Sequence, residues 1–336
     1  MANGSNAREL IREIAEIAPE VQALSRQWTD LADERLGGRV IAVSDEGFGP
    51  AQRILEAQRV HRYWFGADGY RYVDGWETRR RRSAGSEWCE IRLGRPGRIR
   101  GIVIDTSFFT GNYPMAATVE ARQDGSDDWA TVLPQVALSG HAQRLDLVED
   151  PATYSHVRLS IHPDGGLARL RVFGEVRIDL PEGEVDLAAL ENGGRAVGAN
   201  DAHFAAPAQM ISPEPILDWG KGWETRRRRE PGHDWAVLVL ARPGRITRVE
   251  VDTSFYNGNQ PEAISLQAAR EDVRDPALLL NQAMFWPQIL PPQKIEGGAH
   301  KTITAEILDH SPVTHVRVNI HPDGGITRLR LFGRAE

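Results

Sequence analysis

Between residues 156 and 162 apolar and polar side chains alternate without a break. Val157, Leu159 and Ile161 fall on one side, and His156, Arg158, Ser160 and His162 on the other. A period of two with one apolar face is the pattern of a half-buried strand. Residues 88–93, 99–104 and 167–173 are similar short runs, set apart by Gly and Pro turns such as Gly94-Arg95-Pro96-Gly97. A helical period shows near the N-terminus, where Leu10, Ile11, Ile14 and Ile17 are interrupted by Arg12, Glu13 and Glu16. That spacing predicts a short amphipathic helix. Many short strands and few long helical runs predict an all-β chain built as β-sandwiches.

The pattern is written twice. Gly75-Trp76-Glu77-Thr78-Arg79-Arg80-Arg81-Arg82 recurs letter for letter at 222–229, an offset of 147 (222 − 75). Asp105-Thr106-Ser107-Phe108 recurs as Asp252-Thr253-Ser254-Phe255 at the same offset, and both copies run on to a Gly-Asn pair and a proline. Ile161-His162-Pro163-Asp164-Gly165-Gly166 recurs at 320–325, an offset of 159 (320 − 161). A weaker match sets Ser44-Asp45 and Phe48 against Asn200-Asp201 and Phe204. The additional residues of the second copy fall within 272–300, which carries Pro276, Pro287, Pro291 and Pro292 and reads as an enlarged surface loop. Self-similarity of this length means two copies of one domain. The expected layout is a helical extension (1–28), a first repeat (29–178), a linker (179–190) and a second repeat (191–336).

Composition narrows the function classes. The chain has 336 residues, enough for two domains with separate cores, and 41% hydrophobic and 26% charged residues, as in a globular protein. Its formal net charge of −7 argues against a nucleic-acid partner. Cys89 is the single cysteine, which excludes an intramolecular disulfide and a thiolate metal cluster and fits a reducing cytoplasm. No run approaches the roughly 20 apolar residues of a membrane span, so no membrane partner is expected. No Walker loop, GxGxxG or HExxH appears, which argues against a nucleotide cofactor and a zincin site. Asp, Glu and His are present without close ligand spacing, so a divalent metal is left open.

The strand frame Asp74-Gly75…Thr78-Arg79, Glu87-Trp88…Leu93-Gly94-Arg95-Pro96 and His156-Val157-Arg158…Leu170-Arg171-Val172-Phe173-Gly174 resembles discoidin or galactose-binding-like domains. More specifically, GWETRRRR, DTSFFTGNYP and HPDGG, duplicated in that order, resemble the allantoicase family over roughly residues 31–333. The resemblance implies two tandem jelly-roll sandwiches, hydrolysis of allantoate to ureidoglycolate and urea in purine breakdown, and a homo-oligomer. The chain departs from the family pattern at Phe255 and Asn257, where the second copy of related chains carries His and Lys. It departs again at Gly47, where an aromatic beside Phe48 is usual.

Each repeated motif offers chemistry beside a plainer role. Asp105 and Asp252 follow apolar strands and act as base or as turn caps. Glu77 and Glu224 sit beside arginines that favour the carboxylate, as base or orienting group or as part of an ion-pair network. His162 and His321 end a strand and lead into Pro-Asp-Gly-Gly, as general acid or as surface histidines tied to Asp164 or Asp323. His156 and His315, six residues earlier, are expected to be structural. Asn112 and Asn259 suit turns, and their amides suit a ureido group. Trp76, Trp88, Trp223, Trp235 and Cys89 are expected in cores. Allantoate carries a carboxylate and two ureido groups on one carbon, so losing urea needs a proton donor, a proton acceptor and a cation for the carboxylate. The candidates are Asp105 or Glu77 as base, His162 as acid, and Arg79 or Arg81 as clamp, with Thr106, Asn112 and Asp164 also at the substrate. In an extended run alternate arginines face apart, so all four cannot line one pocket. The second-repeat counterparts are Glu224, Arg226, Arg228, Asp252, Asn259, His321 and Asp323, and turnover is expected in the first repeat. The competing readings are a tandem module that binds carbohydrate or another small molecule without catalysis, and a hydrolase of a related ureido compound.

Overall fold

The computed structural model of the chain describes residues 13–336 apart from Arg274. It divides into two compact units, Met1–Ile178 and Asp179–Glu336. In the first, the strands are β1 (Thr29–Asp30), β2 (Arg39–Val43), β3 (Glu87–Asp105), β4 (Ala116–Arg122), β5 (Ala130–Ala137), β6 (Gln143–Leu147), β7 (Tyr154–His162) and β8 (Arg169–Val176). They form one eight-stranded antiparallel sheet in the order β1-β8-β3-β7-β4-β5, with β2 and β6 also paired to β3.

The runs expected as separate strands at 88–93 and 99–104 are the two halves of β3. Its first half pairs with β7 and β2, and its second half with β8 and β6. The chain turns at residues 94–97, and the glycines there are a matter of space. A Cβ on Gly97 would meet the Glu175 carbonyl and lie 2.8 Å from the Leu31 side chain. One sheet is thereby doubled into the two layers of a jelly-roll sandwich. Val157, Leu159 and Ile161 of β7 are fully buried against Ile91, Ile102, Ile104 and Leu170, while Arg158 and Ser160 are only half-buried. Each such aliphatic side chain contributes about 1.5–3 kcal/mol of burial. Because β3 doubles back, Glu87 and Asp105 come to the same end of the sandwich, opposite Ile161 and Arg169. The repeated motifs fall at that end.

Further sequence expectations are corrected. The helix α1 is Pro19–Gln27, beginning with a proline that suits the first turn. It is not centred on the 10–17 spacing; Leu10 and Ile11 lie outside the described residues, and Ile14 pairs with His61 in a single bridge. Val21 and Leu24 of α1 pack on Val103 and Phe173, covering the outer face of the layer that carries the second half of β3. Residues 167–173 also divide: Gly166–Leu167 pairs with Trp76–Glu77, and β8 begins at Arg169.

The second unit repeats the plan with β9 (Glu184–Asp186), β10 (Arg195–Ala199), β11 (Asp234–Asp252), β12 (Ala263–Ala269), β13 (Gln288–Lys294), β14 (His300–Ile303), β15 (Val313–His321) and β16 (Arg328–Ala335). The order is β9-β16-β11-β15-β12-β13, with β10 and β14 on β11. The stretch 272–300 is more than a loop, since it folds as helix α2 (Pro276–Gln282), a 3₁₀ turn and β13. Pro291 and Pro292 are tolerated in β13 because it is an edge strand paired only with β12.

Candidate functional site

Three motifs meet at the loop end of each sandwich. Glu77 is held by its backbone: its N–H donates to Gly49 O (3.2 Å), and its carbonyl accepts from Phe48 N (3.0 Å) and Gly49 N (3.1 Å). Its carboxylate Oε1 accepts from Asn112 Nδ2 at 2.5 Å. Asn112 is fixed in turn by its carbonyl, which accepts from Gly166 N at 2.7 Å. Thr78, the neighbour of Glu77, exchanges hydrogen bonds with Gly165 through its hydroxyl. The glycines of HPDGG follow from this crowding. Gly165 has φ 139°, and a Cβ there would lie 2.7 Å from the Asn112 carbonyl; one on Gly166 would enter the ring of buried Phe109. Burial pushes the Glu77 carboxyl above the usual carboxylate range, with the Asn112 hydrogen bond pulling against it. Phe48, half exposed, stands beside it. The second repeat builds the same pair, Asn259 Nδ2 to Glu224 Oε1 at 2.9 Å, above buried Tyr256.

The arginine run divides by parity. Arg79 is 73% exposed and is clasped by Asp45 through both its backbone N–H (2.6 Å) and its guanidinium (2.6 Å). Gly47 makes room for it, since a Cβ there would lie 2.7 Å from the Arg79 side chain. Burial raises the Asp45 carboxyl, but the Arg79 hydrogen bonds outweigh it and hold the group below its ordinary value. Arg81 pairs with Glu87 at 2.7 Å, and its backbone N–H donates to Asp164 Oδ2 at 2.8 Å. Arg226 with Asp201, Arg228 with Asp234, and Arg228 N with Asp323 repeat these bonds. The two arginines expected to clamp a substrate thus already hold carboxylates of the chain. Asp164 and Asp323, expected at the substrate, tie down backbone. Arg80 and Arg82 are exposed and have no ion pair among the described residues.

The remaining candidates do not gather around Glu77 as one acid–base set. Asp105 is 5% exposed; it accepts from Ser107 N at 2.7 Å and Gln143 Nε2 at 2.9 Å, and Asp252 caps Ser254 N in the same way. Burial raises the Asp105 carboxyl, with the Ser107 bonds opposing. Its side chain shares the outer face of its layer with Val103, beneath the α1 segment. His162 lies on the outer face of the other layer, its Nε2 2.9 Å from Thr118 Oγ1. Layers stack about 10 Å apart, so Asp105 and His162 cannot serve one substrate carbon as base and acid. Thr106 is buried, its hydroxyl donating to the Ser139 carbonyl at 2.6 Å, and Thr253 is buried likewise against Glu296 O. Both hold turns.

Sequence reasoning missed Asp45, Glu87 and their counterparts Asp201 and Asp234, which take up the arginines; the faint Ser44-Asp45/Asn200-Asp201 match was the available signal. It also missed His233, Arg317 and Asn319, which join His321 on the outer face of the second sandwich. Among the described residues no group of three or more His, Cys, Asp or Glu is placed to hold a metal ion, and no helix is long and apolar enough to cross a membrane.

Two tandem jelly-roll sandwiches, each with a carboxylate–amide pair at its loop end, define a duplicated β-sandwich protein. The model of the allantoicase repeat matches residues 29–177 and again 185–336. A probable allantoicase of Burkholderia pseudomallei is 46% identical over 94% of this chain and 97% of its own length. One from Pseudomonas paraeruginosa is 45% identical over 93% and 97%. The crystal structure of allantoicase from Saccharomyces cerevisiae superposes with a TM-score of 0.80 at 29% identity, covering 96% of this chain and 99% of that one. The chain belongs to the allantoicase family.

Proposed function

We propose that the loop end of the first repeat, around Glu77 and Asn112, is where the chain carries out its reaction, hydrolysis of allantoate to ureidoglycolate and urea. The observation that carries this reading is the Glu77–Asn112 bond at the meeting point of all three duplicated motifs. Burial lifts the Glu77 carboxyl above the usual carboxylate range and so favours its protonated form, which suits it to proton exchange with a substrate. Protonated Glu77 gives its proton to the departing urea nitrogen as that C–N bond breaks, while the lone pair of the remaining ureido nitrogen forms a C=N bond. The resulting carboxylate then takes a proton from water as the water oxygen bonds to the same carbon, which yields the hydroxyl of ureidoglycolate and restores the acid. Asn112 holds the carboxyl in place for both transfers. Arg80 or Arg82 binds the substrate carboxylate, the recognition a planar guanidinium performs best.

The test is urea release from allantoate by Arg80→Gln and Arg82→Gln. Loss of a charge-assisted bond is expected to raise KM about 10- to 100-fold at one of the two positions. Unchanged KM at both would remove the clamp from this run. The same proposal includes a cytoplasmic location, supported by the single, buried Cys89. It also includes a homo-oligomer, supported by the exposed Leu278 and Phe285 of the enlarged segment.

A further inference from the structure

The outer face of the second sandwich carries a pocket of about 490 Å³ whose polar wall includes His233, Ser265, Gln267, Arg317, Asn319 and His321. Met284, Trp286 and Pro292, supplied by the enlarged segment, close its other side. Asn319 is the hub. Its Oδ1 accepts from Arg317 Nε at 2.9 Å and lies 3.1 Å from His233 Nε2, and its Nδ2 donates to Gln267 Oε1 at 3.1 Å. Ser265 Oγ is 2.9 Å from His321 Nε2, and the two imidazoles stand 4.6 Å apart between ring centres. Burial draws both histidines below their ordinary value, so at neutral pH each offers a donor and an acceptor without charge.

Arg317 is the anomaly. It is 7% exposed, lies 4.6 Å over the Trp235 ring, and has no ion pair among the described residues. Among the described residues its guanidinium makes one hydrogen bond, from Nε to Asn319 Oδ1, and the residue lines the cavity. A buried guanidinium without a counter-charge is costly unless something supplies one. The first repeat shows the settled alternative. Arg158, in the matching register position, pairs with Glu90 at 2.6 Å and approaches Glu120 at 3.7 Å, under Trp129. In the second repeat those partners are Val237 and Gln267, aligned with Arg317 on β11 and β12. Ser86 and Ser160 of the first repeat are replaced by His233 and Asn319. Neither acidic partner of Arg158 has an acidic counterpart beside Arg317, amide and imidazole groups surround this cation, and an additional segment walls the space.

We propose that this pocket is a second ligand site, taking a small carboxylate that also bears amide or ureido groups. The guanidinium receives the carboxylate, and Gln267, Asn319 and the imidazoles meet the amide edges. The ureido part of the assignment rests on the allantoate reading; the carboxylate part rests on Arg317 alone.

The probe is N-carbamoylglycine, a carboxylate with one ureido group and no second urea to lose. It is titrated by calorimetry and by tryptophan fluorescence against the full chain carrying Glu77→Gln, then against the same chain with Arg317→Met added. Saturable binding that weakens about 10- to 100-fold on adding Arg317→Met is the expected result. Equal binding by the two folded proteins, or no saturable binding to the first, would overturn the site. If Arg317→Met fails to fold, His233→Ala at the pocket wall takes its place with the same expectation. Acetate in place of the probe tests the carboxylate alone: it is expected to bind more weakly and to lose what affinity it has with Arg317→Met. Turnover abolished by Arg317→Met alone while Glu77→Gln alone stays active would make this pocket the catalytic one, overturning both the second site and the loop-end reading.

Discussion

Two hydrogen bonds converge on the Asp105 carboxylate, from the Ser107 backbone to one oxygen and from the Gln143 amide to the other, so both oxygens hold the local structure. Asp105→Asn is therefore expected to cost about 1 kcal/mol of stability, as loss of a capping carboxylate does, with turnover falling less than about tenfold; a much larger fall in kcat in a folded variant would return Asp105 to the reaction. His315 is a second residue whose surroundings decide its behaviour. Burial, helped by Arg195 and opposed by Asp272, lowers its pKa to about 4; Trp286 faces it, and Thr314 Oγ1 sits 2.8 Å from its Nδ1. Between pH 6.5 and 4 the unfolded chain binds a proton that the folded chain refuses, so stability rises with pH through that window and falls as pH drops through it. The loss by pH 4 is on the order of 3 kcal/mol at most. Urea unfolding at pH 7 and pH 4.5 should show this slope in the native chain and a shallower one in His315→Gln. Equal slopes would mean that the imidazole is protonated in the folded state.

At the scale of elements, the HPDGG turn is the part on which the loop end depends. Gly166→Ala would drive a methyl into the Phe109 ring and displace the N–H that anchors Asn112. Overpacking of this kind costs about 1–3 kcal/mol, so a lowered melting temperature together with reduced urea release is expected, and a wild-type melt would show that the turn can give. The strands themselves were legible, because alternation such as that of Val157, Leu159 and Ile161 has one physical cause. The continuity of β3 was not, since Gly94-Arg95-Pro96-Gly97 has the letters of a stop while serving as a bend within a strand. Prolines hid β13 for a related reason: an edge strand does not need those N–H groups. Partners were less legible than elements. Glu77 and Asn112 stood out because they repeat, but Asp45 and Glu87 lie far along the chain or on another strand, and their claim on Arg79 and Arg81 appears only when the loops are folded together. His233 and Asn319 left no trace in the repeats, because they are positions at which the two copies differ.

For the whole molecule, duplication has kept one framework in both repeats. The loop end is built in both repeats, and the outer-face pocket lies in the second, lined by residues of the enlarged segment together with β12 and β15. Exposed Leu278 and Phe285 on that segment favour self-association, and light scattering should give a mass that is a multiple of 37.4 kDa and that falls with Leu278→Ser and Phe285→Ser together. A monomer in the native chain would remove the oligomer from the account. We propose that Glu77 carries the proton transfers of allantoate hydrolysis in the first repeat, with Glu224 holding the matching place without carrying turnover. The most direct measurement is kcat for urea release from allantoate by Glu77→Gln and by Glu224→Gln, each shown to fold by circular dichroism. The expected result is a fall of about 10²–10⁴ for Glu77→Gln, as for loss of a general acid–base group, and a change within about tenfold for Glu224→Gln. Near-native turnover by Glu77→Gln, or the larger loss at Glu224, would contradict it.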